Sequence, residues 1–243
     1  MITAPRSGMV LAAGLGTRLR PMTETIPKPL VQINGRTLLD HAIDRLALAG
    51  VERVTVNVHH KAEMIVAQLS RRDTPRIEIS EEPELLGTGG GVKQALPLLD
   101  DAFFVVNSDV FWLDGKDHTL RRLTSGFDAD HVDAILLLQR TVTAVGYEGS
   151  GDYFLDASGM PRRRGKHEVA PYLFAGIRLL HRRLFDAIPD RIFSIVPLFD
   201  RAEHAGRLRA IVHDGEWYHV STPEGLAATR ARLSSHRSEI AGG

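Results

Sequence analysis

Residues 9–29 read MVLAAGLGTRLRPMTETIPKP, and they say more about the architecture than any other segment. The apolar run 9–13 is typical of a buried strand. A turn with two glycines follows and ends on Arg18. Glycines let backbone N–H groups approach an anion closely, and the arginine fork suits phosphate oxygens. Lys28 lies ten residues further on, between two prolines. A strand, a glycine turn and two cations in this order predict a binding site for a nucleoside triphosphate.

The spacing of this turn excludes two better-known phosphate-binding motifs. A dinucleotide fingerprint needs a third glycine where this chain has Leu19, and a Walker-type loop needs Gly-Lys-Ser/Thr where it has Leu19-Arg20-Pro21. The stretch instead resembles the L-A-A-G-x-G-T-R-L-R-P-x-T…P-K-P signature of the sugar-phosphate nucleotidylyltransferases. A plain strand and turn with scattered surface cations is the alternative, but a signature this long and this mixed in residue type favours the family.

This resemblance implies a Rossmann-like, three-layer α/β/α fold with a mixed, mainly parallel sheet. It also implies transfer of a nucleotidyl group from a nucleoside triphosphate (NTP) to a sugar 1-phosphate, with Mg2+ as cofactor. Within the signature, the implied nucleotide-binding residues are Ala12, Ala13, Gly14, Gly16, Thr17, Arg18 and Lys28. Arg18 is expected to stabilise the leaving pyrophosphate, and Lys28 to lie beside the α-phosphate or the sugar phosphate.

Composition narrows the class of protein. With 243 residues, 43% hydrophobic and 25% charged, the chain can bury one sizeable core, and a single domain over 1–243 is the simplest expectation. Lys and Arg number 30, as do Asp and Glu, whereas a general nucleic-acid binder is usually basic. The lack of cysteine excludes a disulfide framework and a thiolate zinc site. Without an apolar signal core or a run of about 18 apolar residues, we expect a cytoplasmic protein with no membrane partner.

Apolar runs that suit strands alternate with helical patterns along the chain. Further strands are predicted at 54–58, 77–80, 103–106, 135–138, 153–156, 172–179, 208–212 and 217–220. Helices are predicted at 39–49, capped by Thr37, and at 61–69, 91–99, 195–202 and 223–233, the last capped by Thr222. Such alternation predicts a mainly parallel sheet with helices on both faces. We divide the chain into a nucleotide-binding half (8–110), a sugar-binding half (111–233) and a disordered tail (234–243).

Asn107-Ser108-Asp109-Val110 follows directly on the strand predicted at 103–106. In an open parallel sheet, ligands bind beyond the carboxyl ends of the strands, so Asp109 is expected near the end of the first glycine turn. A carboxylate there can hold Mg2+ against triphosphate oxygens. A turn without a ligand is the alternative, since Asn, Ser and Asp are common in turns. The segment resembles the family's N-G-D-V metal aspartate, with Ser108 in place of glycine, and Asn107 is expected to contact the substrate.

The run Leu86-Gly87-Thr88-Gly89-Gly90-Gly91 leads into the helix predicted at 91–99. Successive glycines cost conformational entropy, so they either allow close approach to a ligand or form a mobile surface turn, and we favour the ligand. The run resembles the family segment that contacts the nucleobase and ribose, which implies contacts from Gly87, Thr88, Gly89 and Gly90. The pattern L-x-T-G-G-G resembles in particular the bacterial N-acetylmuramate-1-phosphate uridylyltransferase group of peptidoglycan recycling, which favours UTP.

Two segments of the second half resemble family motifs but differ from them at some positions. Residues 149–154 resemble a G-D-F segment, which implies Gly151 and Asp152 in the sugar-phosphate pocket, although a hairpin turn with a solvent-facing aspartate explains them equally well.

Residues 217–224 read WYHVSTPE and resemble W-x-D-V-G-T-P-E, whose aspartate is the second metal ligand. Here that position is His219, and imidazole is a poor ligand for Mg2+, which prefers oxygen. Whether His219 binds the metal, contacts a phosphate or only ends the strand stays open.

Several alternatives to the uridylyl reaction stay open on the sequence. A mannose-1-phosphate guanylyltransferase or a phosphocholine-type cytidylyltransferase would share the same turn and fold. The change at His219 would also suit a non-catalytic nucleotide-sugar-binding regulatory protein, against which the intact Arg18, Lys28 and Asp109 argue. The basic run 162–166 is expected to be a solvated loop, though it would also attract an anionic sugar phosphate.

Overall fold

The structure, a computed structural model, describes residues 4–241, and strands alternate with helices through most of that range. The strands are β1 (Ser7–Leu11), β2 (Gln32–Ile33), β3 (Arg36–Thr37), β4 (Arg53–Val58), β5 (Arg76–Glu81), β6 (Ala102–Asn107), β7 (Val110–Leu113), β8 (Ala134–Arg140), β9 (Tyr153–Leu155), β10 (Pro161–Arg163), β11 (Tyr172–His181), β12 (Leu208–Val212) and β13 (Glu216–His219). The helices are α1 (Leu38–Leu48), α2 (Ala62–Leu69), α3 (Gly87–Ala95), α4 (Thr119–Ser125), α5 (Val196–His204) and α6 (Pro223–Ala241). Every strand and helix predicted from the sequence is present, some with shifted bounds.

The central sheet has the strand order β5-β4-β1-β6-β11-β8-β12. The pairs β4–β5, β1–β4, β1–β6 and β8–β12 are parallel, whereas β11 runs antiparallel to its neighbours β6 and β8. The hairpin β9–β10 extends the sheet at the start of β11, where Tyr172 pairs with Tyr153. The predicted mixed, mainly parallel sheet is therefore confirmed.

Each face of this sheet is covered by its own helices. Along β6, Phe103 and Val105 pack in one apolar cluster with residues of α3 and α5, while Phe104 and Val106 pack in another with residues of α1, α2 and α4. Side chains alternate between the two faces of a strand, so a strand buried on both faces reads as an unbroken apolar run. The run FFVV is such a strand, and the three-layer, Rossmann-like arrangement follows from it.

Two bounds near the sheet edge differ from the prediction. β1 ends at Leu11 rather than at residue 13, because the amide N–H of Ala12 turns to the side-chain oxygen of Asn57 (2.7 Å). α3 begins at Gly87 rather than at residue 91 and ends at Ala95. The glycine run thus forms the first turns of this helix instead of a loop before it.

The last helix is longer than predicted. α6 continues past residue 233 to Ala241, because no glycine or proline interrupts the sequence between Leu226 and Ala241. The tail predicted at 234–243 therefore begins inside this helix, and its last two residues lie outside the described residues. Between residues 4 and 241, none of the helices combines the length and the apolar character that a membrane span requires.

Three distant segments of the chain meet at one edge of the sheet. The carboxyl ends of β1 and β6 lie side by side, since Leu11 pairs with Asn107. The first glycine turn and the segment around Asp109 therefore begin at neighbouring points. A small second sheet completes this corner, because β7 pairs antiparallel with β13 and sets Val110 opposite His219.

We expect Thr37→Ala to lower the free energy of unfolding by about 1 kcal/mol, the typical loss for an N-cap side chain. The Thr37 hydroxyl accepts a hydrogen bond from the backbone N–H of Asp40 (3.0 Å) and donates one to its carboxylate (2.7 Å) at the start of α1. Thr37→Ser keeps both contacts and is the control. Urea unfolding measures the difference, and an alanine variant as stable as the wild type would contradict the capping role.

Candidate active site

A cavity of about 400 Å³ opens at the carboxyl ends of β1, β4, β5 and β6. Of the residues predicted from the sequence, it is lined by Ala13, Gly14, Gly16, Thr17, Arg18, Lys28, Gly87, Thr88, Asn107 and Asp109. Its wall is completed by Leu11, Pro29, Asn57, Glu82, Leu85 and Ser108. Ligands of open α/β sheets bind at this edge, and the volume is in the range of pockets for small organic molecules. The structure therefore brings the glycine turn, both predicted cations and the predicted carboxylate together.

The glycine turn is packed against Lys28. Gly16 has a left-handed backbone (φ +64°), and a Cβ there would lie 3.0 Å from the Cβ of Lys28 and from the Cγ2 of Thr23. The Thr23 hydroxyl donates a hydrogen bond to the Gly16 carbonyl (2.9 Å). At Gly14, by contrast, no described heavy atom lies within 4 Å of a Cβ position. Gly16 thus shapes the turn, and Gly14 leaves space for a ligand.

Arg18 stands at the junction of two cavities. Its side chain is exposed and, among the described residues, has no ion-pair or hydrogen-bond partner. The second cavity, of about 570 Å³, is bounded by Arg18, His219, the loop 146–149 and the start of α6 from Thr222 onward. The guanidinium is therefore available to a bound anion, and the two cavities give room for two substrates.

Lys28 and Asp109 form an ion pair, with 2.9 Å between Nζ and Oδ2. The Lys28 side chain is 11% exposed and that of Asp109 23%, so solvent screens the pair only partly. Burial alone would raise the pKa of Asp109, but the neighbouring His219 ring and the Lys28 ammonium outweigh it and hold that pKa well below its ordinary value. Asp109 is thus an ionised carboxylate at neutral pH.

Strand β13 places His219 beside Asp109. Its Nε2 lies 3.8 Å from Oδ2 of Asp109, the ring stacks on Trp217 with 5.7 Å between centroids, and the Ser221 hydroxyl is 3.4 Å from Nδ1. The structure therefore brings together Asp109, which the sequence predicts as the metal ligand, and His219, which it names as a second candidate. Proximity alone does not test whether His219 binds the metal, so this role stays a prediction.

The residues at this site can bind Mg2+ through one carboxylate, that of Asp109. Among the residues that the structure describes, no group of three or more His, Asp or Glu side chains is placed to enclose a metal ion. Mg2+ often binds one or two carboxylates and completes its shell with water and substrate phosphates. Asp109 suits that pattern, whereas the imidazole nitrogen of His219 suits Mg2+ less well than oxygen.

Asn57 and Glu82 belong to the cavity wall and were not singled out from the sequence. Asn57 accepts a hydrogen bond from the N–H of Ala12 (2.7 Å) and donates one to Glu82 (2.6 Å), which also accepts from the N–H of Leu86 (3.0 Å). This chain of hydrogen bonds ties the ends of β1, β4 and β5 together. It occupies the N–H of Ala12, so that residue supports the wall and does not line the cavity. The signal available in the sequence was that Asn57 lies one residue before the end of the strand predicted at 54–58 and Glu82 two residues after the one predicted at 77–80.

Gly89 and Gly90 face protein rather than the cavity. Their N–H groups both donate to the carbonyl of Phe193 (2.9 and 3.2 Å). A Cβ on Gly89 would lie 2.3 Å from the Phe193 ring, and one on Gly90 would lie 2.2 Å from the carbonyl oxygen of Arg191. The structure therefore does not support the predicted nucleotide contacts of these two residues. The run is rich in glycine because α3 packs directly on another backbone segment.

Gly151 and Asp152 lie outside both cavities. The Asp152 carboxylate accepts a hydrogen bond from the N–H of Phe174 (2.8 Å), and the Gly151 carbonyl accepts one from Nε of Arg164 (2.6 Å). Gly151 has φ +71°, and a Cβ there would lie 2.1 Å from the carbonyl oxygen of Ala170. Both residues thus hold the backbone of the second half, and the structure does not support their predicted contact with the sugar phosphate.

The basic run 162–166 is largely neutralised by neighbouring groups. Arg162 pairs with Glu168 (2.8 Å) and Arg163 with Asp200. Arg164 donates to backbone carbonyls, including that of Glu168 (3.2 Å). The run lies at the surface as predicted, but Arg162 and Arg163 belong to strand β10 rather than to a loop.

Comparison with known proteins agrees with this geometry. The family model described as "Nucleotidyl transferase" matches residues 7–147, which is more than half of the chain. The N-acetylmuramate alpha-1-phosphate uridylyltransferase of Caulobacter vibrioides is 39% identical over 240 residues, which cover 96% of this chain and 99% of that protein. The mannose-1-phosphate guanyltransferase of Aspergillus fumigatus is 32% identical over 229 residues, covering 89% of this chain but 61% of the relative.

A solved structure supports the fold. The crystal structure of HddC from Yersinia pseudotuberculosis matches with a TM-score of 0.75 and 24% sequence identity, over 94% of this chain and 99% of that one. At this level of identity the likeness establishes a shared architecture alone.

We expect Gly90→Ala to destabilise the fold by about 1–3 kcal/mol, as is typical of overpacking. Its methyl group would meet the carbonyl oxygen of Arg191 at 2.2 Å. Gly14→Ala is the matched control: its position is open, so it should leave stability nearly unchanged while hindering nucleotide binding. Urea unfolding and nucleotide titration separate the two effects. Equal stability of the two variants would contradict the packing explanation.

Proposed function

Because this chain belongs to the nucleotidyl transferase family and is a nucleotidyltransferase, we propose that it joins UTP and N-acetylmuramate 1-phosphate to give a nucleotide sugar and pyrophosphate. The observation that carries the proposal is the convergence of Arg18, Lys28 and Asp109 on one cavity at the sheet edge. Two cations around a nucleotide-sized cavity suit a triphosphate, and a carboxylate among them suits the cation that accompanies it.

In this reaction an oxygen of the sugar phosphate attacks the α-phosphorus of the NTP in line. A new P–O bond forms while the bond to the bridging oxygen breaks, and its electron pair leaves with pyrophosphate. No protein nucleophile is required, so the side chains act by positioning the phosphates and by offsetting their charge. The unpaired Arg18 at the rim suits the leaving pyrophosphate. The more buried Lys28 suits the α-phosphate or the acceptor phosphate.

Asp109 is the residue that would hold Mg2+, with His219 next to it. The ion, when bound, would supply positive charge that offsets the negative charge of the phosphates. Lys28 is paired with Asp109 in the structure, so phosphate binding would offer Lys28 a new partner and free the carboxylate. We assign the second cavity, which shares Arg18 with the first and is also lined by His219, to the acceptor sugar.

The choice of substrates rests on the Caulobacter relative, whose similarity extends over nearly the whole of both chains. An enzyme with this acceptor would act in peptidoglycan recycling in the cytoplasm. The second candidate pair is GTP and mannose 1-phosphate, which the Aspergillus relative favours, although the chain spans only 61% of that protein.

A substrate panel tests the proposal. Pyrophosphate release is measured with UTP, GTP and CTP, each against N-acetylmuramate 1-phosphate, mannose 1-phosphate and phosphocholine. We expect the highest kcat/KM for UTP with N-acetylmuramate 1-phosphate. Turnover confined to another pair would replace that assignment. Nucleotide binding without pyrophosphate release from any pair would point to the non-catalytic regulatory role.

Arg18→Ala should lower turnover by about a hundredfold or more, the typical cost of losing one donor to developing charge. The sugar-phosphate KM should change less, because the guanidinium serves the leaving group. Steady-state kinetics on the best substrate pair measure both quantities, with Arg20→Ala as a control at a neighbouring arginine that does not line the cavity. Near-normal turnover of Arg18→Ala would contradict the assignment.

His219→Asp should lower the Mg2+ concentration needed for half-maximal activity, because a second carboxylate adds an oxygen ligand and negative charge near Asp109. Asp109→Asn should abolish metal-dependent activity, because it removes the carboxylate proposed to hold Mg2+. Magnesium titrations of the two variants and the wild type test this. If the His219→Asp and wild-type curves superimpose, His219 lies outside the metal shell.

A further inference from the structure

Strand β11 buries an arginine in an apolar setting. Its sequence is YLFAGIRLLH, and Arg178 is only 1% exposed. The guanidinium carbon lies 5.5 Å from the centre of the Phe174 ring. Burial lowers the pKa of Arg178 to about 9, so the side chain is still cationic at neutral pH. A buried charge of this kind is costly unless it is compensated.

The compensation in the structure is incomplete. The Nη1 group of Arg178 donates to the side-chain oxygen of Asn107 (2.7 Å) and weakly to the carbonyl of Gly176 (3.5 Å). Neither Nε nor Nη2 has a hydrogen-bond partner among the described residues, and no carboxylate of those residues lies within ion-pair distance. An arginine kept for stability alone would be paired, as Arg72 is with Asp40 and Asp44.

A local irregularity of β11 brings Arg178 to the site. The register against β8 shifts between Phe174 and Arg178, and Gly176 inside this bulge has φ +76°. A Cβ on Gly176 would lie 3.1 Å from the amide nitrogen of Asn107. The bulge therefore leaves room for the Asn107 amide and sets Arg178 behind it, at the end of β6 that carries Asp109.

We propose that Arg178 is a positioning residue that fixes the Asn107 amide as a hydrogen-bond donor for the phosphate of the acceptor. Asn107 lines the cavity, and its oxygen is occupied by Arg178. The amide N–H2 is then the group that Asn107 offers to a ligand, and a phosphate oxygen is the acceptor it suits. The charge of Arg178 behind it favours an anion at the same place.

The position in the sheet favours the acceptor phosphate over the NTP. β6 is the strand at which the first half of the chain meets β11 of the second half. Asn107 lines the first cavity together with Gly87 and Thr88, but it ends β6, where it lies beside Gly176 of the second half. This assignment to the acceptor rests on the proposed function.

The test compares Arg178→Met with Arg72→Met. Methionine fills a similar volume without charge, so Arg178→Met should melt at the same temperature or higher. Its KM for sugar 1-phosphate should rise about tenfold or more, the loss expected for a charge-assisted hydrogen bond, while the KM for NTP stays near the wild-type value. Arg72→Met breaks a buried pair and should melt lower with both KM values unchanged.

Two further variants show how Arg178 acts. Arg178→Lys keeps the charge but loses the planar fork, so it should recover only part of the acceptor affinity. In a double-mutant cycle, Asn107→Ala should add little to Arg178→Met, because one residue acts through the other. Fully additive effects on the acceptor KM would overturn the proposal.

The outcomes separate this inference from the proposed function. An Arg178→Met protein that melts lower while keeping both KM values would show a purely structural role. If the wild type releases no pyrophosphate with any substrate pair, the proposed function fails. Calorimetric titration with the sugar 1-phosphate alone then decides on Arg178: binding about tenfold weaker in Arg178→Met than in the wild type supports the assignment, and equal or undetectable binding in both overturns it.

Discussion

The ion pair between Lys28 and Asp109 is the contact on which the geometry of the site depends. It joins residues that are 81 positions apart in the chain, and it forms because β1 and β6 end side by side. Asp109 also fixes a third segment, since its backbone carbonyl accepts a hydrogen bond from the N–H of Val220 (2.9 Å). That bond holds the end of β13 in place, and His219 with it. One residue thus organises the corner through its backbone and supplies its negative charge through its side chain.

The distribution of charge around this corner is uneven although the chain as a whole is neutral. Arg18 and Lys28 line the first cavity together with the carboxylates of Asp109 and Glu82, and the buried Arg178 lies behind Asn107. Arg18 and Arg178 have unpaired N–H groups among the described residues, one at the rim and the other within the core. A triphosphate and a sugar phosphate are the kind of ligand that such unpaired cationic groups attract. The arrangement of the charges, and not the net charge of the sequence, therefore distinguishes this cavity.

Much of this corner was predictable from the sequence, because its main determinants are local. The apolar run before Gly14 and the run FFVV predict parallel strands, and parallel strands place their following loops at a common edge. Asn57, Glu82 and Arg178 were missed because their roles depend on partners from other strands. An arginine inside an apolar strand was nevertheless a visible signal, since an arginine buried there needs a compensating partner or a function.

The second glycine run shows the limit of local interpretation. Its composition fits both close approach of a ligand and close approach of protein, and residue order alone does not distinguish them. The structure shows both within one run: all four residues contact the segment 193–195, but of these four only Gly87 and Thr88 also line the cavity. The distinction depends on a contact between residues about a hundred positions apart in sequence, which no spacing rule contains.

The Lys28–Asp109 pair also couples the binding of anion and cation. While Lys28 holds the carboxylate, a cation that approaches Asp109 must compete with an ammonium group already 2.9 Å away. Triphosphate oxygens offer Lys28 another partner and at the same time bring further ligands for the cation. Position 219 is a histidine and not a second carboxylate. Asp109 therefore binds a cation weakly until phosphate oxygens supply further ligands. The proposed site is therefore one in which the charged groups of the protein exchange partners when the nucleotide binds.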